Sequence, residues 1–270
     1  MQNLPIPVIL EAVKTTGKLF LQDYKQSAIP GTMDELLIQL KYIEDHCYDS
    51  LKSILNIYFP ETPWIDDDEF DSEAQRKPAA LEEYWLCDTM DGAIQYIQHL
   101  PGWTINLALI RHGEPYFSII YDPLSDELFW AQKNGGAFMN NNRLTPSRKI
   151  NPELMLAVFE YGHQKKTVQQ LNQIGSSVTD LISTFGMVRN YGPHGLQLAY
   201  VGAGRIDLFL QEDLDTHNWI AGILIAQEAG AEILTIDGRA WKWGDENLLV
   251  ATKEATRTFL SVKNKTQKQS

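Results

Sequence analysis

Cysteine is scarce in this chain: Cys47 and Cys87 are the two among 270 residues. Both lie in apolar patterns, which reads as buried thiols rather than a disulfide framework or a metal-binding pair. Long hydrophobic runs are missing too. No run approaches membrane-spanning length, and residues 1–30 hold no continuous apolar core, so no membrane partner and a cytoplasmic location are expected. Basic residues are in deficit, 23 Lys and Arg against 35 Asp and Glu, for a net charge of -12. With no basic stripe to neutralise a phosphate backbone, nucleic acid is excluded as the main partner. A small phosphorylated substrate is not excluded, because bound cations invert a local field. What the chain does have is a 44% apolar fraction, enough for one large domain or two closely joined halves.

The stretch from Tyr84 to Ile110 organises the rest. Tyr84-Trp85-Leu86-Cys87 begins as an apolar strand, and Asp88 and Asp91 follow with Gly92 closing the turn. Ala93–Ile97 reads as a short helix and Thr104–Ile110 as a second strong strand. Two carboxylates this close at the end of a buried strand repel each other unless a cation sits between them. Oxygen ligands of this kind suit a hard ion such as magnesium. Gly92 permits a sharp turn, and the amides of Gly92 and Ala93 then open a helix where a phosphate could be held.

Around that stretch, residues 6–28 and a run from Leu36 to Tyr58 carry helical apolar spacing, with Thr32 and Glu35 as a capping box for the second helix. Asp34 and Lys41 read as solvated helix residues. Trp64-Ile65 is a short strand before the acidic run Asp66 to Asp71, and Ser72 to Glu83 reads as a mobile polar loop. From Thr104 to Asn142 the pattern is of consecutive antiparallel strands. Strand patterns then recur at 154–160, 205–210, 232–236 and 247–252. Helical patterns fall at 164–184, 193–204, 219–230 and 254–262. Asp213 and Asp215 precede the 219–230 helix; they could serve as replacement ligands, but read as capping residues. Thr216 could cap the same helix, Ala221-Gly222 is small where it should pass a neighbouring backbone, and His217 reads as structural or solvent-facing.

WLCDTMDGAIQYIQHLPGWTINLALI resembles the W-x-x-D-P-[IL]-D-G-T-x-N-[FY] segment of the inositol monophosphatase family. VRNYGPHGLQLAYVGAGRIDLFL and NWIAGILIAQEAGAEILTIDG are similar to two later segments of that family. The resemblance runs from Phe59 onward. It implies an α/β fold of alternating helix and sheet layers over residues 1–270, with a metal-site half of about 1–145 and a second half of about 146–270 completing the site. It implies Mg2+ as cofactor, a small phosphorylated molecule as partner, and a homodimer. The first ion would be held by Asp67, Asp88 and the carbonyl of Met90, with Asp66 and Asp68 as alternatives to Asp67. The second would be shared by Asp88 and Asp91. Asp67, Asp88 and Asp91 would be the catalytic carboxylates, and Gly92 and Ala93 the phosphate site.

The chain departs from the family pattern at three places. The third carboxylate falls on Asn218, the hydroxyl that positions the nucleophilic water falls on Ala93, and the N-terminal acidic motif is absent from GTMDELLIQLKYIED. Gln211 and Gly192-Pro193-His194-Gly195 replace the substrate-contact segments, so inositol specificity does not carry over; Arg189, His194 and Gln211 remain candidate substrate contacts. Two readings follow. One is a metal-dependent phosphomonoesterase acting on an inositol-phosphate-like or related sugar phosphate, with impaired activity. The other is a degenerate pseudophosphatase serving as a binding or regulatory protein.

Overall fold

A computed structural model describes residues 4–66, 72–162 and 166–266. Two helices come first, α1 (Ile6–Asp23) and α2 (Met33–Leu55). The capping box is formed as its spacing predicts: Thr32 Oγ1 accepts from Glu35 N, and the Glu35 carboxylate accepts from Thr32 N. Lys41 pairs with Asp45 on the exposed face of α2.

The chain then builds a sheet in sequence order. Its elements are β1 (Trp64–Asp66), the short helix α3 (Ser72–Gln75), β2 (Glu83–Asp91), α4 (Ala93–Ile97), β3 (Thr104–Arg111), β4 (Glu114–Asp122), β5 (Glu127–Gln132), β6 (Gly136–Met139) and β7 (Asn142–Arg143). β1 runs parallel to β2, and every later neighbour is antiparallel. The second half continues with β8 (Leu156–Tyr161), α5 (Val168–Thr184), β9 (Met187–Asn190), α6 (His194–Gly202), β10 (Leu208–Glu212), α7 (Thr216–Ala229), β11 (Glu232–Leu234), β12 (Asn247–Ala251) and α8 (Lys253–Thr266). Its strands order as β11-β12-β10-β8-β9, with β8 parallel to both β9 and β10.

Side-chain alternation assigns the faces. In β3, Ile105, Leu107 and Leu109 pack under α1 and α2, while Ala108 and Ile110 face the other way, toward Leu196 of α6 and Ile220 and Leu224 of α7. In β10, Phe209 packs with Leu198 and Trp219, while Leu208 and Leu210 pack with Leu181 of α5 and Phe259 of α8. The order of layers is therefore α1/α2, first sheet, α6/α7, second sheet, α5/α8. Both faces of both sheets are covered, which is why these strands read as near-continuous apolar runs.

Three expectations are corrected. Residues 72–83 are not all loop: they contain α3, Arg76 pairs with Glu246, and Ala79 N donates to the buried Tyr84 hydroxyl. Thr216 does not cap α7; it lies inside the helix, and its hydroxyl has no hydrogen-bond partner among the described residues. β9 went unread because Met187-Val188-Arg189-Asn190 alternates weakly and is exposed along one edge.

Gly222 is where α7 passes α6. A Cβ there would stand 2.5 Å from the Leu198 Cβ and 3.1 Å from the Gly195 carbonyl oxygen. Gly222→Val should therefore lower stability by at least about 1–3 kcal/mol, as overpacking does. Urea unfolding against wild type checks this, and a loss no larger than that of an exposed-site variant would refute the close contact.

Candidate functional site

The site is built at the end of β2. Pairing with β3 is regular down to Asp88 and then shifts register before Asp91, so a bulge separates the two carboxylates. One amide gathers them: Asn106 Nδ2 lies 3.3 Å from Asp88 Oδ2 and 3.0 Å from Asp91 Oδ2. Thr104 Oγ1 donates to Asn106 Oδ1 at 2.9 Å, which fixes the amide with its nitrogen toward the acids. Gly92 follows at φ 88°, and a Cβ on it would stand 2.5 Å from the Gly102 carbonyl oxygen, so only glycine fits the turn into α4.

From the other side, the start of α6 closes onto Asp91. Gly195 N donates to Asp91 Oδ2 at 2.7 Å. A Cβ at position 195 would stand 2.6 Å from Asn106 Nδ2, so the approach requires glycine. Beside it, His194 and the start of α7 form a buried polar cluster centred on Asp215. Its Oδ2 accepts from Gln211 Nε2 at 2.7 Å and pairs with His194 Nδ1 at 2.8 Å, and its Oδ1 accepts from Asn218 Nδ2 at 2.7 Å. Trp219 Nε1 donates to Gln211 Oε1 at 2.7 Å.

Burial and charge set the protonation of these groups. Burial raises Asp91 above the ordinary carboxylate range, opposed by His194, the Gly195 amide and Asn106. Burial likewise raises Glu160, which lies within the field of His194 and Asp91. At His194, burial alone would favour the neutral ring, but the Asp215 carboxylate, with Asp91 and Glu160 behind it, holds the imidazole up to about 9. Burial also works against Asp215, and the His194, Gln211 and Asn218 donors outweigh it and keep the carboxyl below its usual value.

Of the expected site residues, Asp88, Asp91, Gly92, Ala93 and His194 come together in one region with Asn218 close by through Asp215. Asp67 and Asp68 lie outside the described residues; β1 ends at Asp66, paired with Cys87 beside Asp88. Gln211 is fully buried, with both ends of its amide engaged by Asp215 and Trp219. Arg189 stands on β9 with its guanidinium on the Val188 carbonyl, lining a separate cavity of about 330 Å³ with Tyr191, Gln197 and Arg205. His217 is buried against Trp243. Asp213 pairs with Lys166, and Asp215, though it stands at the N-cap of α7, makes no capping bond. Asn106 and Glu160 were missed as site residues, and Asp215, a possible replacement ligand, was read as a helix cap. Asn106 had a signal, a lone amide within the apolar strand Thr104–Ile110; Asp215 had none that separates it from an ordinary helix cap.

The donor set suits a hard cation: two carboxylates held side by side, and Asn218 Oδ1, a buried oxygen with no hydrogen-bond partner among the described residues. It is poor in charge. Among the described residues no three His, Cys, Asp or Glu side chains converge as a metal-holding group.

Comparison with known proteins agrees with this architecture. A model described as the inositol monophosphatase family matches residues 12–267. An inositol-1-monophosphatase of Caulobacter vibrioides is 31% identical over 161 residues, 57% of this chain and 60% of that protein. A Nus factor SuhB of Xylella fastidiosa is 28% identical over 156 residues, 57% of this chain and 55% of its own. The aligned stretch thus spans under two thirds of these relatives. Solved structures cover far more: the extragenic suppressor protein suhB from Bartonella henselae matches with TM-score 0.79 at 20% identity over 97% of this chain and 100% of its own. An IMPase from Thermotoga maritima matches with TM-score 0.79 at 19% identity, 98% of both chains. No helix among the described residues is long and apolar enough to cross a membrane.

The buried His194–Asp215 pair makes stability depend on pH. The imidazole rises from an ordinary 6.5 to about 9 on folding, so its contribution is complete below about 6.5 and is lost as pH climbs through about 9. Stability should therefore fall between pH 7 and pH 10, by an amount on the order of 3 kcal/mol at most, and the Tm with it. His194→Gln should flatten that fall while leaving the chain folded, and an unchanged slope in the variant would assign the dependence elsewhere.

Proposed function

The chain belongs to the inositol monophosphatase family, and from that premise we propose that it is a magnesium-dependent phosphomonoesterase of low turnover acting on a small phosphorylated metabolite. The observation that carries this reading is the Asp88–Asn106–Asp91 arrangement, two acids kept adjacent by one shared amide at the end of β2. A buried carboxylate held beside a half-buried one is costly without a cation. Asp88, Asp91 and the oxygen of Asn218 would hold Mg2+, with the Met90 carbonyl and Asp67 as the further ligands that the resemblance implies. When bound, such a cation neutralises phosphoryl oxygens and lowers the pKa of a coordinated water.

The chain's own residues supply the remaining functions. The amides of Gly92 and Ala93, at the start of α4, would receive phosphate oxygens. The Gly195 N–H and the Asn106 amide hold Asp91 in place, so its second oxygen is the one left to a cation. His194 brings positive charge to the edge of the cleft, where an anionic substrate gains from it. Ala93 has no hydroxyl with which to orient a water or pass on its proton, a loss of about 10²-fold or more in rate by comparison with general acid–base contributions. Low turnover follows from that position and from the neutral Asn218.

Millimolar MgCl2 should raise the Tm and support slow hydrolysis of an aryl phosphate, and Asp88→Asn should abolish both. Ala93→Thr should speed hydrolysis without changing the magnesium dependence of the Tm. Hydrolysis that survives Asp88→Asn, or that ignores chelation, would overturn the assignment.

A further inference from the structure

The cluster behind the cleft has only one consistent set of amide orientations. An indole N–H can only donate, so the oxygen of Gln211 must face Trp219. The Gln211 nitrogen then faces Asp215. A carboxylate only accepts, so the nitrogen of Asn218 must also face Asp215, and His194 Nδ1 stands 2.8 Å from it as an ion pair. Two amide donors and one imidazole converge on one buried carboxylate. The oxygen of Asn218 is thereby turned away from the cluster, where it is buried without a hydrogen-bond partner among the described residues. A lone buried acceptor is unfavourable unless a cation or a donor takes it.

We propose that Asp215 is a positioning residue that holds Asn218 as an oxygen donor facing the cleft, so that the negative charge at this corner of the site stands one layer behind the ligand atom and not on it. The metal arm of this inference rests on the cation-binding reading above; the orientation arm does not. The two oxygens of Asp215 divide their work: Oδ2 takes Gln211 and His194, and Oδ1 takes Asn218. Acid and amide are therefore interchangeable between the two positions. With Asp215→Asn and Asn218→Asp together, the amide oxygen at 215 still accepts from Gln211 and faces His194, and its nitrogen donates to the acid at 218. Both amide bonds survive, the His194 ion pair becomes a contact with a neutral oxygen, and the carboxylate now faces the cleft. Asn218→Asp alone sets two carboxylates against each other where the present bond is 2.7 Å long. Asp215→Asn alone removes the constraint that forces the nitrogen of Asn218 inward.

Three variants and a control test this. Without metal, Asn218→Asp should lower the Tm by roughly 5 °C or more, and adding Asp215→Asn should recover most of the loss. In calorimetric titration with MgCl2, Asp215→Asn alone should weaken binding about 10-fold or more, the scale expected for a residue behind a ligand. The exchanged pair should bind more tightly than wild type, because a charged oxygen replaces a neutral one. Asp213→Asn, which breaks a pair with Lys166 on the same loop, should leave magnesium affinity unchanged. Additive Tm effects, with no rescue in the exchanged pair, would overturn the orientation claim. Magnesium affinity indifferent to Asp215→Asn would overturn the positioning role. A wild-type chain that binds no magnesium at all would instead sink the proposed function, while the metal-free Tm series would still decide the orientation.

Discussion

One hydrogen bond joins the two sheets' worth of structure at the point where chemistry is expected, from the Gly195 amide at the start of α6 to the Asp91 carboxylate at the end of β2, 2.7 Å long and spanning 104 positions of sequence. It demands glycine at 195, because a side chain there would collide with the amide of Asn106. It demands the bulge in β2, which separates Asp91 from the regular ladder. It also depends on α7, since α6 is seated against α7 through Leu198 and Gly222. A buried carboxylate bonded only to amides keeps an unsatisfied appetite for positive charge, and the surrounding groups can be understood as different answers to that demand.

The chain has answered it partly from its own resources. Four carboxylates, Asp88, Asp91, Glu160 and Asp215, share the region with the imidazole of His194, which three of them, Asp215, Asp91 and Glu160, hold in its charged form. The neutral Asn218 and the cationic His194 both reduce the net negative charge of the corner, one by subtraction and one by addition. That favours weaker attraction for a divalent ion than three exposed carboxylates would exert, while an anionic ligand meets a more welcoming field. Asp215 allows both departures to coexist, accepting from the amides of Gln211 and Asn218 and pairing with the His194 imidazole.

Most strands and helices were legible because they carried their own local pattern, and their layering was what the family resemblance implied. Ala93–Ile97 was read with the bounds the structure shows, and the capping box at Thr32 and Glu35 is formed. The acidic pair was legible for the same reason, since Asp88, Asp91 and Gly92 are neighbours in sequence. The polar cluster was not. Asp215 before a helix looks like any cap, and nothing in the order of residues says that its side chain turns inward to His194 and Gln211. Contacts that join 194, 211 and 218 are made by tertiary packing, and only the fold reveals them. Gln211 shows the converse error: a position that aligns with a substrate contact is here sealed under Trp219.

The α6/α7 layer has apolar partners on both sides, and from His217 to Ala226 every residue of α7 is buried. Neither sheet can finish its inner face without it. The first half of the chain, up to about residue 145, therefore makes a sheet whose Ala108, Ile110, Ile120 and Phe129 await helices that are synthesised later. During synthesis that face stays open until α6 and α7 emerge, and the site closes in the same event that closes the core. Completion of the core and of the site both depend on the same contacts with α6 and α7, distant in sequence, of the kind whose formation slows folding.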